Sequence, residues 1–302
     1  MSSIPLHIIT GFFGSGKTTF LKHYLRARRN TGNTAIIQNE FSPVNIDGRE
    51  LQEFVGFRVM EVNNGSVFCV CLLGSFVKSL AEFIEQVKPD ELIMEASGMS
   101  DPVSIGQILE AEPLRGKVYL GHVWTVVDAR NYLRANAFQQ RIASQLRIAD
   151  TVIVNKKDLA GENAGEVTAA VKRLNPFARV IESAYAQIDV DTINKVMGLY
   201  PEGTGSGQVY PLPGLESVVV KTSREIVPER LPVFIEDLKG RAIRCKGFVR
   251  LKATQGVFIQ GTFDDYSLQP APDMSGPTEF VVIGSRLKEL GPQRLFEKYC
   301  SR

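Results

Sequence analysis

Short apolar runs rich in β-branched residues recur along the first two thirds of the chain, and they predict buried strands. The runs occupy residues 4–10, 34–38, 57–62, 92–94, 123–127, 151–154 and 180–181. Between them, residues 18–29, 75–87 and 137–148 carry apolar side chains at steps of three and four, which is typical of helices that bury one face. Continuous apolar strands that alternate with helices predict an α/β fold, with a mostly parallel sheet covered by helices on both faces.

The pattern changes near residue 200, where a segment rich in Gly, Pro and Ser predicts a linker. Beyond it, strand-like runs lie at 217–221, 243–251, 257–262 and 279–283, and helix-like runs lie at 228–239 and 287–299. The last three strands follow one another without a helix between them, which predicts an antiparallel α+β module. We therefore predict a first domain over residues 1–200, a linker over 201–215 and a small α+β domain over 216–302.

Length, charge and cysteine content narrow the class of protein. A chain of 302 residues suggests about two domains. Its 35 basic and 33 acidic residues leave a formal net charge of +2, which argues against a nucleic-acid-binding surface. No apolar run reaches the ~18–20 residues that cross a bilayer, and the N-terminus lacks the pattern of a secretory signal. Four cysteines are too few for a disulfide scaffold, so we expect reduced thiols and a cytoplasmic location.

The first candidate site lies between the first predicted strand and the first predicted helix. Residues 11–18 read G-F-F-G-S-G-K-T and fit the phosphate-loop pattern G-x-x-x-x-G-K-[ST]. Glycines let backbone N–H groups turn toward an anion, and the N-terminus of the following helix favours the same negative charge. In this motif Lys17 is expected to reach the β- and γ-phosphates of a nucleotide, and the Thr18 hydroxyl is expected to bind Mg²⁺.

A second motif predicts which base accompanies the phosphates. Residues 155–158 read N-K-K-D directly after a predicted strand, which fits the N-K-x-D pattern of guanine-binding proteins. The Asp158 carboxylate can accept hydrogen bonds from N1–H and the exocyclic amino group of guanine, whereas adenine has neither donor. The stem of Lys156 can lie along the plane of the base. We therefore expect GTP and GDP, rather than adenine nucleotides, as ligands.

Two acidic residues end predicted strands near these motifs. Glu95 ends an apolar strand, and a strand-end carboxylate beside a phosphate loop is the usual place to hold Mg²⁺ or its water ligands. The nearby Gly98 can bring a backbone N–H to the γ-phosphate and release it after hydrolysis. For Asp128, which ends another predicted strand, the sequence favours equally a structural role at the sheet edge and support of the nucleotide site.

Further motifs, together with these, make the chain similar to one family over nearly its whole length. They are T-G-F-F-G-S-G-K-T-T at residues 10–19, N-E-F at 39–41, N-N-G at 63–65 with C-V-C at 69–71, E-A-S-G-M-S-D-P at 95–102, R-C-K-G-F at 244–248 and T-E-F-V-V-I-G at 278–284. The sequence resembles the CobW-like P-loop GTPases, which are relatives of the hydrogenase- and urease-maturation GTPases HypB and UreG.

The resemblance implies a slow, Mg²⁺-dependent GTPase. Such a protein would form a nucleotide-dependent homodimer and would couple its nucleotide state to delivery of a metal, or of a metal-bearing cofactor, to a client metalloprotein. By the same resemblance, the phosphates would be wrapped by Gly14, Ser15, Gly16, Lys17, Thr18 and Thr19. Glu95 and Glu40 would serve the Mg²⁺ shell, and Asn155 and Asp158 would select guanine. The sequence offers no obvious Gln or Arg to orient the attacking water, which agrees with slow turnover.

The sequence departs from the family pattern at its candidate transition-metal site. The family's C-x-C-C motif is here Cys69-Val70-Cys71-Leu72, so one thiol is missing. In an extended strand Cys69 and Cys71 point to the same side, which permits joint ligation of Zn²⁺ or Co²⁺, but a transfer site needs at least three ligands. Glu40, Cys245 or the other subunit of a dimer would supply the third. The alternative is that the pair are ordinary half-buried thiols.

The sequence therefore leaves two main candidate functions. In the first, the protein is a GTP-gated metallochaperone that carries the metal itself. In the second, it is a GTP-gated chaperone or reactivator of a metalloenzyme, for instance one of the corrinoid (cobalamin) type, and carries no metal. A small-molecule kinase is the weakest candidate, because Asp158 argues against ATP as the nucleotide.

Overall fold

The computed structural model describes most of the chain in seventeen stretches. These are residues 3–28, 32–39, 57–62, 73–96, 108–109, 111–132, 139–161, 163–175, 178–190, 210–212, 215–239, 241–252, 256–262, 265–271, 274, 276–284 and 286–300. The chain divides into two units, Met1–Lys195 and Val196–Arg302. Each unit has its own sheet and its own buried core.

Parallel strands and helices alternate in the first unit. The strands are β1 (Ile4–Thr10), β2 (Thr34–Asn39), β3 (Arg58–Val62), β4 (Glu91–Glu95), β5 (Val118–Asp128), β6 (Thr151–Asn155) and β7 (Arg179–Glu182). The helices are α1 (Lys17–Arg28), α2 (Leu73–Val87), α3 (Gln139–Ile148), α4 (Lys157–Ala160) and α5 (Asn163–Leu174). The strands form a seven-stranded sheet in the order β3-β2-β4-β1-β5-β6-β7, and all of its pairings are parallel. This confirms the predicted α/β class.

The two faces of this sheet are buried in different clusters. Val126 on β5 belongs to a cluster with Phe20 and other residues of α1, whereas its neighbour Val127 belongs to a cluster with Ile142 of α3 and Val171 of α5. Successive residues of a strand point to opposite faces, so a strand buried on both faces has to be apolar at every position. That requirement explains the continuous apolar runs of the sequence.

The second unit is built on an antiparallel sheet. Its strands are β8 (Tyr210–Leu212), β9 (Leu215–Thr222), β10 (Ala242–Val249), β11 (Gly256–Thr262), β12 (Asp265–Ala271) and β13 (Thr278–Gly284). Its helices are α6 (Leu231–Leu238), α7 (Leu287–Leu290) and α8 (Pro292–Tyr299), with a 3₁₀ turn at Pro228–Arg230. The strand order is β12-β11-β10-β13-β9-β8. Phe234 of α6, Phe280 of β13 and Phe296 of α8 meet in its core, with ring centroids 5.1–5.7 Å apart.

Three details of this unit differ from the sequence prediction. Strand β8 falls inside the predicted linker and pairs with β9, while residues 201–209 and 213–214 of that linker lie outside the described residues. Strand β12 was not predicted. The predicted helix at 287–299 is two helices, because Gly291 adopts a left-handed conformation (φ 60°) between α7 and α8. Within the described stretches of both units, no helix is long and apolar enough to span a membrane.

Candidate nucleotide site

The phosphate loop connects the end of β1 to the start of α1 at the carboxyl edge of the parallel sheet. Gly11 and Gly16 have positive φ angles of 142° and 107°. A Cβ atom on Gly11 would collide with the carbonyl oxygen of Val126, and one on Gly16 would collide with the amide nitrogen of the Asn155 side chain. Only glycine satisfies both conditions, and the loop that results is a concave surface of backbone at the N-terminus of a twelve-residue helix.

Lys17 is held within the loop that it would serve. Its Nζ donates a hydrogen bond to the carbonyl oxygen of Phe12 at 3.3 Å and lies 5.9 Å from the ring centroid of Phe13. Phe13 is 51% exposed, so the ammonium lies near the open side of the loop.

Thr18 and Glu95 meet beside the phosphate loop. Glu95 is buried at the end of β4 and lies in register with Ile9 of β1, so its carboxylate reaches the first turn of α1. There Thr18 Oγ1 donates a hydrogen bond to Glu95 Oε1 at 2.9 Å. A hydroxyl and a carboxylate on adjacent elements are the hard oxygen donors that Mg²⁺ prefers, so the residues present fit this ion.

The remaining predicted phosphate-loop residues differ in exposure. Ser15 is completely buried, and its hydroxyl has no hydrogen-bond partner among the described residues. Gly14 and Thr19 are exposed. The loop therefore offers Gly14 and Thr19 at its surface, whereas Ser15 contributes its backbone and not an exposed side chain.

Asn155 connects the phosphate loop to the loop that follows β7. Its Nδ2 donates to the carbonyl oxygen of Ser15 at 2.8 Å, and its Oδ1 accepts from the backbone N–H of Ala186 at 2.7 Å. The side chain is 2% exposed. Because both of its polar atoms are engaged within the protein, Asn155 holds two loops of the site together.

The other residues of the N-K-x-D motif lie at the same sheet edge. Lys156 adopts a left-handed backbone conformation (φ 61°, ψ 35°), and its Nζ lies 2.8 Å from Oδ2 of Asp128 at the end of β5. Asp158 lies in the first turn of α4 and is exposed. This contact joins Asp128, for which the sequence favours two roles equally, to the N-K-x-D motif.

The loop at 183–187 belongs to this site, and sequence reasoning did not find it. Ser183 accepts a hydrogen bond from the N–H of Lys157 at 3.1 Å, which joins the loop to the N-K-K-D segment. Tyr185 and Ala186 have positive φ angles of 56° and 52°, and Tyr185 is 71% exposed. The available signal was positional: the loop follows β7, and loops at the carboxyl ends of parallel strands lie at one edge of the sheet.

Several residues predicted to bind a metal ion or nucleotide are not among those that the structure describes. Glu40, Gly98, Cys69 and Cys71 lie outside the described residues. In the part of the chain that the structure describes, no group of three or more His, Cys, Asp or Glu residues is arranged to hold a metal ion. Cys245, one of the residues considered as a third ligand, is completely buried in the apolar core of the second unit. Burial raises the pKa of its thiol, so the thiolate that a metal needs is disfavoured there.

Comparison with known families shows which family the chain belongs to. The profile of the CobW/HypB/UreG nucleotide-binding domain matches residues 5–182, which is more than half of the chain. The chain belongs to the CobW/HypB/UreG family. The profile of the cobalamin synthesis protein CobW C-terminal domain matches residues 215–299, in the second unit.

Two curated proteins that are similar to this CobW/HypB/UreG family member carry the names of a zinc-regulated GTPase and a zinc chaperone. It is 26% identical to the zinc-regulated GTPase metalloprotein activator 1 of Dictyostelium discoideum in an alignment 306 positions long, gaps included, that covers 83% of this chain. It is 30% identical to the zinc chaperone YjiA of Escherichia coli in an alignment 211 positions long that covers 67% of this chain. The chain spans 64% of the length of each of these relatives.

A solved structure shares the fold of this family member. The crystal structure of Zn(II)-bound YjiA GTPase from E. coli superposes with a TM-score of 0.61 and covers 99% of both chains, at 23% sequence identity. This similarity supports the parallel sheet and the antiparallel second sheet as one family architecture.

Proposed function

We propose that this protein binds GTP and hydrolyses it slowly to GDP and phosphate. The observation that carries the proposal is the side chain of Asn155, which bonds Ser15 of the phosphate loop and Ala186 of the loop after β7. It joins the phosphate cradle and the N-K-K-D segment into one continuous site. A site with both parts takes a nucleotide rather than a free phosphate.

Binding in this site divides into a phosphate half and a base half. The backbone N–H groups of the cradle and the N-terminus of α1 take the phosphate oxygens, and Lys17 moves from the Phe12 carbonyl onto the β- and γ-phosphates. The exposed carboxylate of Asp158 accepts hydrogen bonds from N1–H and the 2-amino group of guanine. The adenine of ATP has neither donor. Lys156 supplies an apolar stem beside the base.

Hydrolysis transfers the terminal phosphoryl group to water. The water oxygen bonds to the γ-phosphorus while the bond between that phosphorus and the β–γ bridging oxygen breaks. GDP leaves with the bond's electron pair, and the two protons of the water end on the inorganic phosphate. Lys17 and the cradle N–H groups neutralise the charge that spreads over the phosphate oxygens. Thr18 and Glu95 would hold Mg²⁺, which when bound neutralises charge on the β- and γ-phosphates.

The biological role that we propose is a nucleotide-gated step in metal delivery to a client metalloprotein. It is supported by the names of the relatives, a zinc-regulated GTPase metalloprotein activator and a zinc chaperone. In this role Cys69 and Cys71 ligate Zn²⁺, and a nucleotide-dependent homodimer completes the site in the cytoplasm. A second candidate is a GTP-gated chaperone or reactivator of a metalloenzyme that carries no metal. The reduced motif C-V-C-L at residues 69–72 favours this candidate.

The GTPase proposal is tested with the purified chain by GTP binding and by phosphate release in the presence of Mg²⁺. Lys17→Ala should abolish both, because it removes the charge from the centre of the cradle. Lys78→Ala is the matched control, since Lys78 is an exposed lysine on α2. Tight GTP binding by Lys17→Ala would show that the phosphate-loop interpretation is wrong.

Metal carriage is tested by Zn²⁺ titration with and without GTP. The wild type is compared with a variant in which Cys69 and Cys71 are both replaced by Ala. A lower stoichiometry in the variant supports the metallochaperone. An unchanged stoichiometry removes these two thiols from metal binding and favours the second candidate.

A further inference from the structure

The carboxylate of Asp128 receives four hydrogen bonds at the end of β5. Its Oδ1 accepts from the backbone N–H of Arg130 at 2.9 Å and of Asn131 at 3.2 Å. Its Oδ2 accepts from Asn131 Nδ2 at 2.9 Å and from Lys156 Nζ at 2.8 Å. Burial opposes ionisation, but the hydrogen bonds and the charge of Lys156 outweigh it, so the pKa of Asp128 is lowered and the carboxylate is charged at neutral pH.

Lys156 is constrained at its ammonium by this contact and at its backbone by its place between β6 and α4. Its backbone, between β6 and α4, adopts a left-handed conformation that non-glycine residues seldom take, and no side chain caps the helix there. Its ammonium reaches across to the neighbouring strand, because Asp128 lies in register with Asn155 at the ends of β5 and β6. The four-carbon stem therefore runs between two strand ends at the sheet edge that carries the phosphate loop.

The geometry assigns to Asp128 the role of a positioning residue for guanine binding: it anchors the Lys156 ammonium so that the lysine stem is preformed as the apolar surface on which the base packs. The inference rests on the proposed function and goes beyond it, since Asp128 lies outside the N-K-x-D motif. Without the anchor, a lysine side chain samples many rotamers, and the nucleotide would have to order it on binding.

The role predicts a specific pattern of losses. Asp128→Asn keeps an oxygen that accepts from the N–H groups of Arg130 and Asn131, but it loses the charge that holds Lys156. GTP and GDP should both bind about tenfold more weakly, the effect of one hydrogen bond to a charged group, because the two ligands share the guanine. The single-turnover rate at saturating GTP should stay within about twofold of wild type, since the phosphate-binding groups are untouched.

A double-mutant cycle with Lys156→Met makes the test sharp. Methionine keeps an unbranched stem and loses the ammonium, while the Asp128 carboxylate, whose side chain is 11% exposed, keeps its three hydrogen bonds from Arg130 and Asn131. If Asp128 acts through Lys156, the two losses should not add: the Kd of the double variant for GDP should be no higher than that of the single variant that binds GDP less tightly. Glu85→Gln is the control for the change in charge, because Glu85 forms an exposed ion pair with Lys117 at 2.9 Å.

The outcomes separate this inference from the proposed function. Equal losses of GTP and GDP affinity, an unchanged single-turnover rate and a non-additive cycle support it. Wild-type affinity in Asp128→Asn, or fully additive losses in the cycle, would overturn it while leaving the GTPase intact. If the wild type itself binds no guanine nucleotide, the proposed function fails first. If Asp128→Asn does not fold, Lys156→Met alone decides: a loss of about tenfold for both ligands supports the inference, and no loss overturns it.

Discussion

The two hydrogen bonds of the Asn155 side chain should contribute both to the stability of the protein and to its affinity for nucleotide, and a matched variant can distinguish the two effects. Asn155→Ala removes two buried hydrogen bonds, of 2.8 Å to the Ser15 carbonyl and 2.7 Å from the Ala186 N–H. It leaves a carbonyl and an N–H group without those partners in a region where the side chain was 2% exposed. At about 1–2 kcal/mol for each group, the free energy of unfolding should fall by about 2–4 kcal/mol.

The matched control for this loss is Asn175→Ala. Asn175 is also buried in the first unit, and its Nδ2 donates to the carbonyl oxygens of Leu146, Arg147 and Ala149 at 2.8–3.2 Å, around the C-terminal end of α3. Its replacement should cost a similar unfolding free energy in urea titrations, because it too removes buried hydrogen bonds.

The two variants should differ in nucleotide affinity. Asn155→Ala releases the phosphate loop from the loop after β7, so the Kd for GTP should rise at least about tenfold, which corresponds to about 1.4 kcal/mol. Asn175→Ala should change that Kd by less than about twofold. Both values are measured by fluorescence titration with a labelled guanine nucleotide at a temperature where each variant is folded. Equal Kd values for the two variants would refute the bridging role of Asn155.

Two further predictions concern backbone strain and thiol chemistry. Gly16→Ala should abolish GTP binding in the same titration, because the new Cβ atom would collide with the Asn155 side chain and the residue has a positive φ angle. Gly74→Ala is the control: a Cβ atom at this position on α2 points into open space, so the variant should bind GTP as the wild type does. In a Cys69→Ser/Cys71→Ser background, Cys245 and Cys300 should react with an aromatic disulfide reagent at pH 8 only after unfolding, and fast reaction of the folded protein would contradict their burial. Burial raises the pKa of Cys300 to about 11, so its thiolate is about one part in a thousand at that pH.

The parallel sheet was predictable because burial on both faces leaves a strong signal. Strands β1 and β6 are mostly apolar and mostly buried, and their predicted bounds differ from the observed ones by at most one residue. Strand β5 begins at Val118, five residues before the predicted start. The prediction began too late because Gly121 and His122 interrupt the apolar run in the first half of the strand. The prediction was weakest where polar residues enter a buried strand.

The two strands that the sequence did not reveal lie at the edges of the second sheet. Strand β8 has three residues and contains Pro211, and strand β12 contains Pro270. Edge strands tolerate proline because one side makes no ladder hydrogen bonds, but proline and polar residues also characterise loops. Local sequence alone therefore does not separate such strands from loops.

The candidate site was predictable only where a local motif carries it. Lys17, Thr18 and Asp158 stand in short patterns whose spacing has a chemical reason. The bond between Asn155 and Ser15 joins residues 140 positions apart, and the contact between Lys156 and Asp128 joins residues from two different strand ends. Contacts of this kind depend on which strands are neighbours in the sheet, which the sequence of one chain does not specify.

The central claim is that one continuous site recognises both the phosphates and the guanine of GTP. Competition at equilibrium tests it most directly: a fluorescent GDP analogue is bound to the wild-type chain with Mg²⁺ and is displaced with unlabelled GTP or ATP. We expect GTP to displace the analogue at concentrations at least about a hundredfold lower than ATP does, because ATP leaves the Asp158 carboxylate without its donors. Equal displacement by the two nucleotides would contradict it.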